Sequence, residues 1–168
     1  HGTLTDNFNP GNGSVNLSDD IYNGTSLASL AVAAHECGHA IQHAKGYVPL
    51  KFRGALVPAA NFGAKIAWPL ILIGLLINSE SSWLIIQVGI LAFSLSVLFQ
   101  VVTLPVEFNA SNRAIRIIAD TGMMQGQEIV AAKKVLSAAA LTYVAAATSS
   151  ILQLLRLILI TGGRRRDD

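Results

Sequence analysis

Polar residues crowd into the first 56 positions and into a middle stretch from about 105 to 134, and the remainder of the chain is apolar. Three apolar runs stand out, at 57–78, 83–104 and 136–161. The run 83–104 carries no charge over 22 residues. At about 1.5 Å per residue, a helix of that length crosses a hydrocarbon core about 30 Å thick. The run 57–78 contains Lys65 and Pro69, and 136–161 contains Gln153 and Arg156. The pattern therefore predicts two to three transmembrane helices. Lys65 can snorkel its charged end toward the interface, which is the preferred reading, or face a polar cavity. Pro69 removes one backbone donor and is expected to kink its helix.

Segment 1–25 is rich in Asn, Gly, Asp, Thr and Ser. Within it, 3–8 and 14–18 alternate apolar and polar positions, and Asn9-Pro-Gly-Asn-Gly between them supplies turn chemistry, so a short β-hairpin is predicted. A helix follows over 26–45, capped by Thr25 or Ser26 and stopped by Gly46. Ala, Leu and Val fill most of it, which predicts burial nearly all round. Four sequons occur, at Asn12, Asn16, Asn23 and Asn109, as Asn/Ser-rich sequence produces by chance.

Composition sharpens the picture. Hydrophobic residues make up 52% of the 168-residue chain and charged residues 13%, with a mean hydropathy of +0.50. A soluble domain carries about 25% charged residues, so a water-facing surface throughout is excluded. The net charge is +2 and the basic residues are dispersed apart from Arg164, Arg165 and Arg166, which gives no nucleic-acid signal. The single cysteine excludes an internal disulfide. The chain starts at His1 without a methionine or a signal-like segment, and is expected to be a fragment or a processed product.

The chemistry lies in Ala34-His35-Glu36-Cys37-Gly38-His39. Histidines at i and i+4 share a helix face, so His35 and His39 can reach one metal ion. Neutral imidazoles suit Zn²⁺, and Glu36, one step round the helix, can take a proton from a metal-polarised water and later give it to a leaving amine. This is the H-E-x-x-H pattern of zinc metalloproteases. Burying two imidazoles and a carboxylate in an apolar helix without a partner would be costly, which favours the metal over a pair of idle histidines. Gly38 leaves room for another backbone to approach, at a helix-propensity cost of about 1 kcal/mol. Cys37 points away from the shared face and is expected to be a buried, inert thiol.

A third ligand must return from later in the chain, and His43, Glu80, Glu107, Asp120 and Glu128 are the candidates. His43 lies about 80° off the His35 face and too far along the axis. Glu80 sits in the loop between two spans, on the opposite membrane face if both cross. Glu107 follows the second span directly, after Pro105, and returns to the correct face. It is the chosen ligand, ahead of an alternative in which it is an acid favouring the N-terminus of a helix beginning there. Asn109 and Ser111 are candidates to hold the carboxylate or a ligand imidazole.

The blocks Leu4-Thr-Asp, Leu17-Ser-Asp, Tyr22-Asn-Gly, Val32-Ala-Ala-His-Glu-Cys-Gly-His-Ala-Ile-Gln, Leu104-Pro-Val-Glu-Phe-Asn-Ala-Ser, Leu141-Thr-Tyr-Val-Ala-Ala-Ala and Gly163-Arg-Arg-Arg-Asp-Asp together resemble the bacterial membrane-bound neutral zinc metallopeptidases called YugP-like. The resemblance covers essentially the whole chain. It implies a zinc-dependent endopeptidase with His35 and His39 as ligands, Glu36 as general base and Glu107 as third ligand. It also implies one further hydrophobic helix upstream of His1. Two departures are visible: Asn7-Phe-Asn stands where the family commonly has His-Tyr-Asp, and Cys37 where it often has alanine.

The chain thus reads as mainly α and integral to the membrane. A single metallopeptidase domain over 1–168 holds the hairpin segment, a zincin-like H-E-x-x-H helix, the spans and a third-ligand region at 105–135. The partners expected are one Zn²⁺, a lipid bilayer, and a membrane or juxtamembrane peptide, which an edge of the hairpin can bind by strand addition. Lys45, Lys51, Arg53, Arg113, Arg116, Lys133 and Lys134 place the site on the cytoplasmic side by the positive-inside rule, at or just inside the interface. Full crossing by 136–161 would put Arg164–Arg166 outside, against that rule. The rival reading is a non-catalytic membrane scaffold with a structural zinc site, which would have no use for Glu36.

Overall fold

The computed structural model describes residues 5–77 and 82–163. Glu80, the 78–81 part of the interspan loop, Thr3 and Leu4 of the first expected strand, and Arg164–Arg166 lie outside the described residues. The chain is mainly helical. Strands β1 (Asn7–Asn9) and β2 (Ser14–Asn16) precede α1 (Asp19–Tyr22), α2 (Leu27–Ala44), α3 (Val48–Leu76), α4 (Ser82–Asp120) and α5 (Gln127–Gly163). It divides into two compact units, His1–Lys51 with Leu104–Thr142, and Phe52–Thr103 with Tyr143–Asp168.

In the first unit, β1 and β2 pair antiparallel with Phe8 opposite Val15. Asp6 clasps the base of the hairpin, its carboxylate accepting from the Ser18 amide at 2.7 Å and the Ser18 hydroxyl at 3.0 Å. The α2 helix starts where the Ser26 hydroxyl accepts from the Ser29 amide at 3.0 Å, satisfying one of its orphan donors. It ends before Gly46, whose φ of +64° is the left-handed conformation that stops helices. Ala31 and Ala34 of α2 form a core with Ala114 and Ile118 of α4, Met124, and Ala132 and Leu136 of α5. Burial around α2 is incomplete, because Cys37 and His43 are exposed. The backbone approach that Gly38 permits is made by α4: a Cβ added there would lie 2.5 Å from the Ala110 carbonyl oxygen.

The second unit inverts the soluble pattern. Most of its large exposed side chains are apolar, among them Phe62, Leu72, Leu91, Leu152 and Leu159. Its interior holds Ile71, Ile86, Ile90 and Leu157, with Phe93 and Leu154 against them. Small residues bring the helices close, Gly63 against the Ala92 backbone and Gly89 against Ala67 and Ile71. Such contacts drive helix association where lipid removes the hydrophobic advantage. The Ser96 hydroxyl donates to the Ala60 carbonyl at 3.2 Å. Lys65 is exposed.

Three helices, Val48–Leu76, Ser82–Asp120 and Gln127–Gly162, are long and apolar enough to cross a membrane. All begin or end beyond their apolar runs, because helix propensity ignores polarity. Lys51 and Arg53 are as helical as the leucines after them, and so are Lys133 and Lys134. Pro58 and Pro69 both lie inside α3. Pro105 does not start a new helix: α4 runs unbroken through it. A proline removes one ladder bond, which membrane helices tolerate. The alternative that Glu107 sits at a helix N-terminus is thereby overturned.

Candidate metal centre

The face of α2 that meets α4 carries His35 and His39 one turn apart, with their rings edge to face at 4.7 Å between centroids. From α4, Glu107 projects onto the same point at 2% exposure. The Nε2 atoms of the two histidines are 3.1 Å apart. The Oε2 atom of Glu107 lies 3.2 Å from His35 Nε2 and 3.6 Å from His39 Nε2. The three residues are a group able to hold a metal ion. Ligands about 2.1 Å from a tetrahedral centre stand about 3.4 Å from one another, so the donor triangle fits a zinc ion in size and in chemistry. A tetrahedral zinc held by these three donors would have a fourth position for a water or a substrate oxygen.

Each imidazole is held from behind. His35 Nδ1 is 3.1 Å from the Ser111 hydroxyl. His39 Nδ1 is 3.0 Å from Gln42 Oε1. Asn109, expected to touch a ligand directly, reaches His39 only through Gln42, whose amide donates to Asn109 Oδ1 at 3.0 Å and to the Val106 carbonyl at 2.8 Å. The Arg113 Nε–H donates to the same Asn109 oxygen at 2.8 Å. Gln42 lies outside the H-E-x-x-H motif and is not among the residues expected from sequence. Its signal was present all the same: 35, 39 and 42 follow i, i+4, i+7, and a glutamine on an apolar face needs partners.

Glu36 is buried beside the triangle, where burial, the largest influence, raises its carboxyl above the ordinary range. The neighbouring histidines pull it down, Glu107 pushes it up, and the Phe8 backbone N–H lowers it by donating to it. On His39, burial opposes the charge, but the hydrogen bond and charge of Glu107, with Gln42 and Glu36, outweigh it and raise the imidazole above its usual value.

Among the other residues singled out, His43 is exposed, stacks its ring near Phe8 at 5.4 Å, and takes no part in the donor triangle. Asp120 and Glu128 stay outside it as well. Cys37 is exposed rather than buried, because the helix face opposite the histidines is the face α4 does not cover.

Fold and donor set define a class: helical membrane proteins with the imidazole and carboxylate donors that zinc hydrolases use. The chain belongs to the neutral zinc metallopeptidases, since the profile of that family, described as "Putative neutral zinc metallopeptidase", matches residues 1–162. It is 47% identical over 136 residues to the Bacillus subtilis protein named "Putative membrane protease YugP", covering 81% of this chain. The chain spans 59% of that relative's length. No solved structure matches it.

Proposed function

We propose that the chain is a zinc-dependent endopeptidase that hydrolyses peptide bonds in membrane or juxtamembrane proteins. One zinc ion per chain is held by His35, His39 and Glu107, and Glu36 is the general base. The observation that carries the reading is the donor triangle, its three atoms within 4.8 Å of one another, with a second buried acid, Glu36, alongside Glu107. A structural zinc site has no need of that acid. When bound, the zinc activates a water and polarises the scissile carbonyl. Glu36, its carboxyl raised by burial, accepts the proton of the attacking water and passes it to the leaving amine.

We place the site on the cytoplasmic side, because Lys45, Lys51, Arg53, Arg113, Arg116, Lys133 and Lys134 all belong to the segments around it. Cys37 is exposed and the sole cysteine, so it tests this directly. A membrane-impermeant maleimide should label it in inverted vesicles and leave it unlabelled in intact spheroplasts.

The central test measures zinc content and casein cleavage together, in detergent-purified wild type, Glu36→Gln and Glu107→Ala. The expected result is one zinc per chain in wild type and Glu36→Gln, and loss of zinc in Glu107→Ala. Cleavage should fall about 10²- to 10⁴-fold in Glu36→Gln, as for removal of a general base. Zinc without cleavage in wild type would favour a scaffold, and folded wild type without zinc would overturn the reading.

A further inference from the structure

The amide of Gln42 has one orientation open to it, and two donor-acceptor constraints set it. Val106 offers a backbone carbonyl, which can only accept, so the nitrogen of Gln42 must face it at 2.8 Å. Arg113 Nε–H can only donate, so the oxygen of Asn109 must face Arg113 at 2.8 Å. That oxygen then accepts from the Gln42 nitrogen at 3.0 Å. Both N–H groups of the Gln42 amide are thereby used, on two turns of α4. Its oxygen is left for His39 Nδ1 at 3.0 Å, and an oxygen there can only receive a proton. The whole side chain is 0% exposed, so no water competes for any of these places.

We propose that Gln42 is the positioning residue of the metal centre: relayed from Arg113 through Asn109, it fixes the hydrogen of His39 on Nδ1 and leaves the Nε2 lone pair facing His35 and Glu107. This rests on the metallopeptidase reading for its purpose, although the hydrogen-bond logic stands without it. The other ligand is held differently. The Ser111 hydroxyl can rotate to donate or accept, so it steadies the His35 ring without dictating the tautomer. The two halves of the H-E-x-x-H motif are thus unequal, with His39 preset and His35 adaptable. Gln42 also ties α2 to the turn of α4 beside Glu107, so the ligand and its partner carboxylate are registered by one amide.

The test compares Gln42→Met, Gln42→Glu and Ser111→Ala in the full chain. Zinc affinity is read by competition with a chromophoric chelator, alongside melting of the metal-free protein. Loss of a ligand's hydrogen-bond partner weakens metal binding by about 10- to 100-fold, and Gln42→Met should fall in that range. Gln42→Glu keeps an acceptor for His39 while disturbing the contacts to Val106 and Asn109. It should therefore bind zinc close to wild type even if its metal-free form melts lower. Ser111→Ala should cost less than Gln42→Met. Wild-type affinity in Gln42→Met, or affinity lost equally in both Gln42 variants in step with their melting, would overturn the proposal as a merely structural role. A readout without variants is available in metal-free wild type above the imidazole titration, where ¹⁵N–¹H correlations should show His39 protonated on Nδ1. An Nε2–H tautomer overturns the proposal however the variants behave. Wild type that shows Nδ1–H but binds no zinc would instead refute the metallopeptidase reading alone.

Discussion

The two units bury polar groups in opposite ways. Among the described residues of the second unit, the buried polar side chains are Thr103 and Thr161, and each hydroxyl donates to the carbonyl four residues back, Phe99 and Leu157 respectively, at 2.8 Å. Those bonds are satisfied within a single helix and need no neighbour. In the first unit Glu36, His39, Gln42 and Glu107 are buried, and the α2–α4 partners of Gln42 and Glu107 come from 64 to 72 residues away in sequence. Such groups are satisfied only when α2 and α4 are in register. One unit can lose a hydroxyl and keep its helices, whereas the other cannot lose a partner without orphaning a buried donor or charge, at about 1–3 kcal/mol or more.

A paired substitution breaks this comparison most directly. A Cβ at Gly38 would meet the Ala110 backbone, and a Cβ at Gly63 the Ala92 backbone, so both Gly38→Ala and Gly63→Ala force two helices apart. Overpacking of this kind costs about 1–3 kcal/mol, and both variants should melt lower in detergent. Zinc affinity should separate them. Gly38→Ala moves His35 and His39 away from Glu107 and should weaken zinc about tenfold or more, by the geometry metal sites demand. Gly63→Ala should bind zinc as wild type does. Equal zinc loss in both would mean that the metal centre is not confined to the first unit.

The pH response sharpens the same contrast, with a smaller effect. The raised His39 imidazole holds a proton that zinc must displace, so zinc affinity should fall by up to about tenfold per pH unit below its folded value. In the metal-free protein the sign is opposite. A group whose folded value is raised stabilises the fold below its unfolded value, about 6.5 for histidine, and this stability is lost as pH rises through the folded value. Glu36, also raised, has the same sign. Between pH 6 and 8 the metal-free protein should therefore melt lower with rising pH while zinc binds more tightly. Calorimetry with and without zinc reads both. Parallel slopes would mean that His39 carries no extra proton in the empty site.

Much of this was legible because it is local. Ser26 and Gly46 mark the ends of α2, the i, i+4 histidines announce their shared face, and the run 83–104 is apolar enough to be seen alone. Glu107 was reachable by elimination, since few acids lie near the right helix end. The reason for its place was misread: Pro105 looks like a boundary in one dimension, but the helix continues because only one ladder bond is missing. Exposure of Cys37 was not legible, because an apolar helix does not say which of its faces a neighbour leaves open. Gln42 was hidden for a related reason. Its partners Val106 and Asn109 are far off in sequence, and glutamine carries no motif of its own.

The smallest expected effect is the most exacting. Thr103 is 3% exposed, yet its hydroxyl takes a carbonyl that already belongs to the helix ladder, so Thr103→Val removes a donor and leaves no acceptor orphaned. A bond of this kind contributes little, and valine refills nearly all of the volume, so the change should stay within about 0.5–1 kcal/mol. Melting temperature and zinc content in detergent should both stay near wild type. Thr103 stands four residues before Glu107 on the same helix, close enough that a disturbance of α4 itself would reach the ligand. If Thr103→Val lost zinc, the hydroxyl would be setting the course of α4 toward the site, and the division between a self-satisfied unit and a partner-dependent one would fail at the residue where the two meet in sequence.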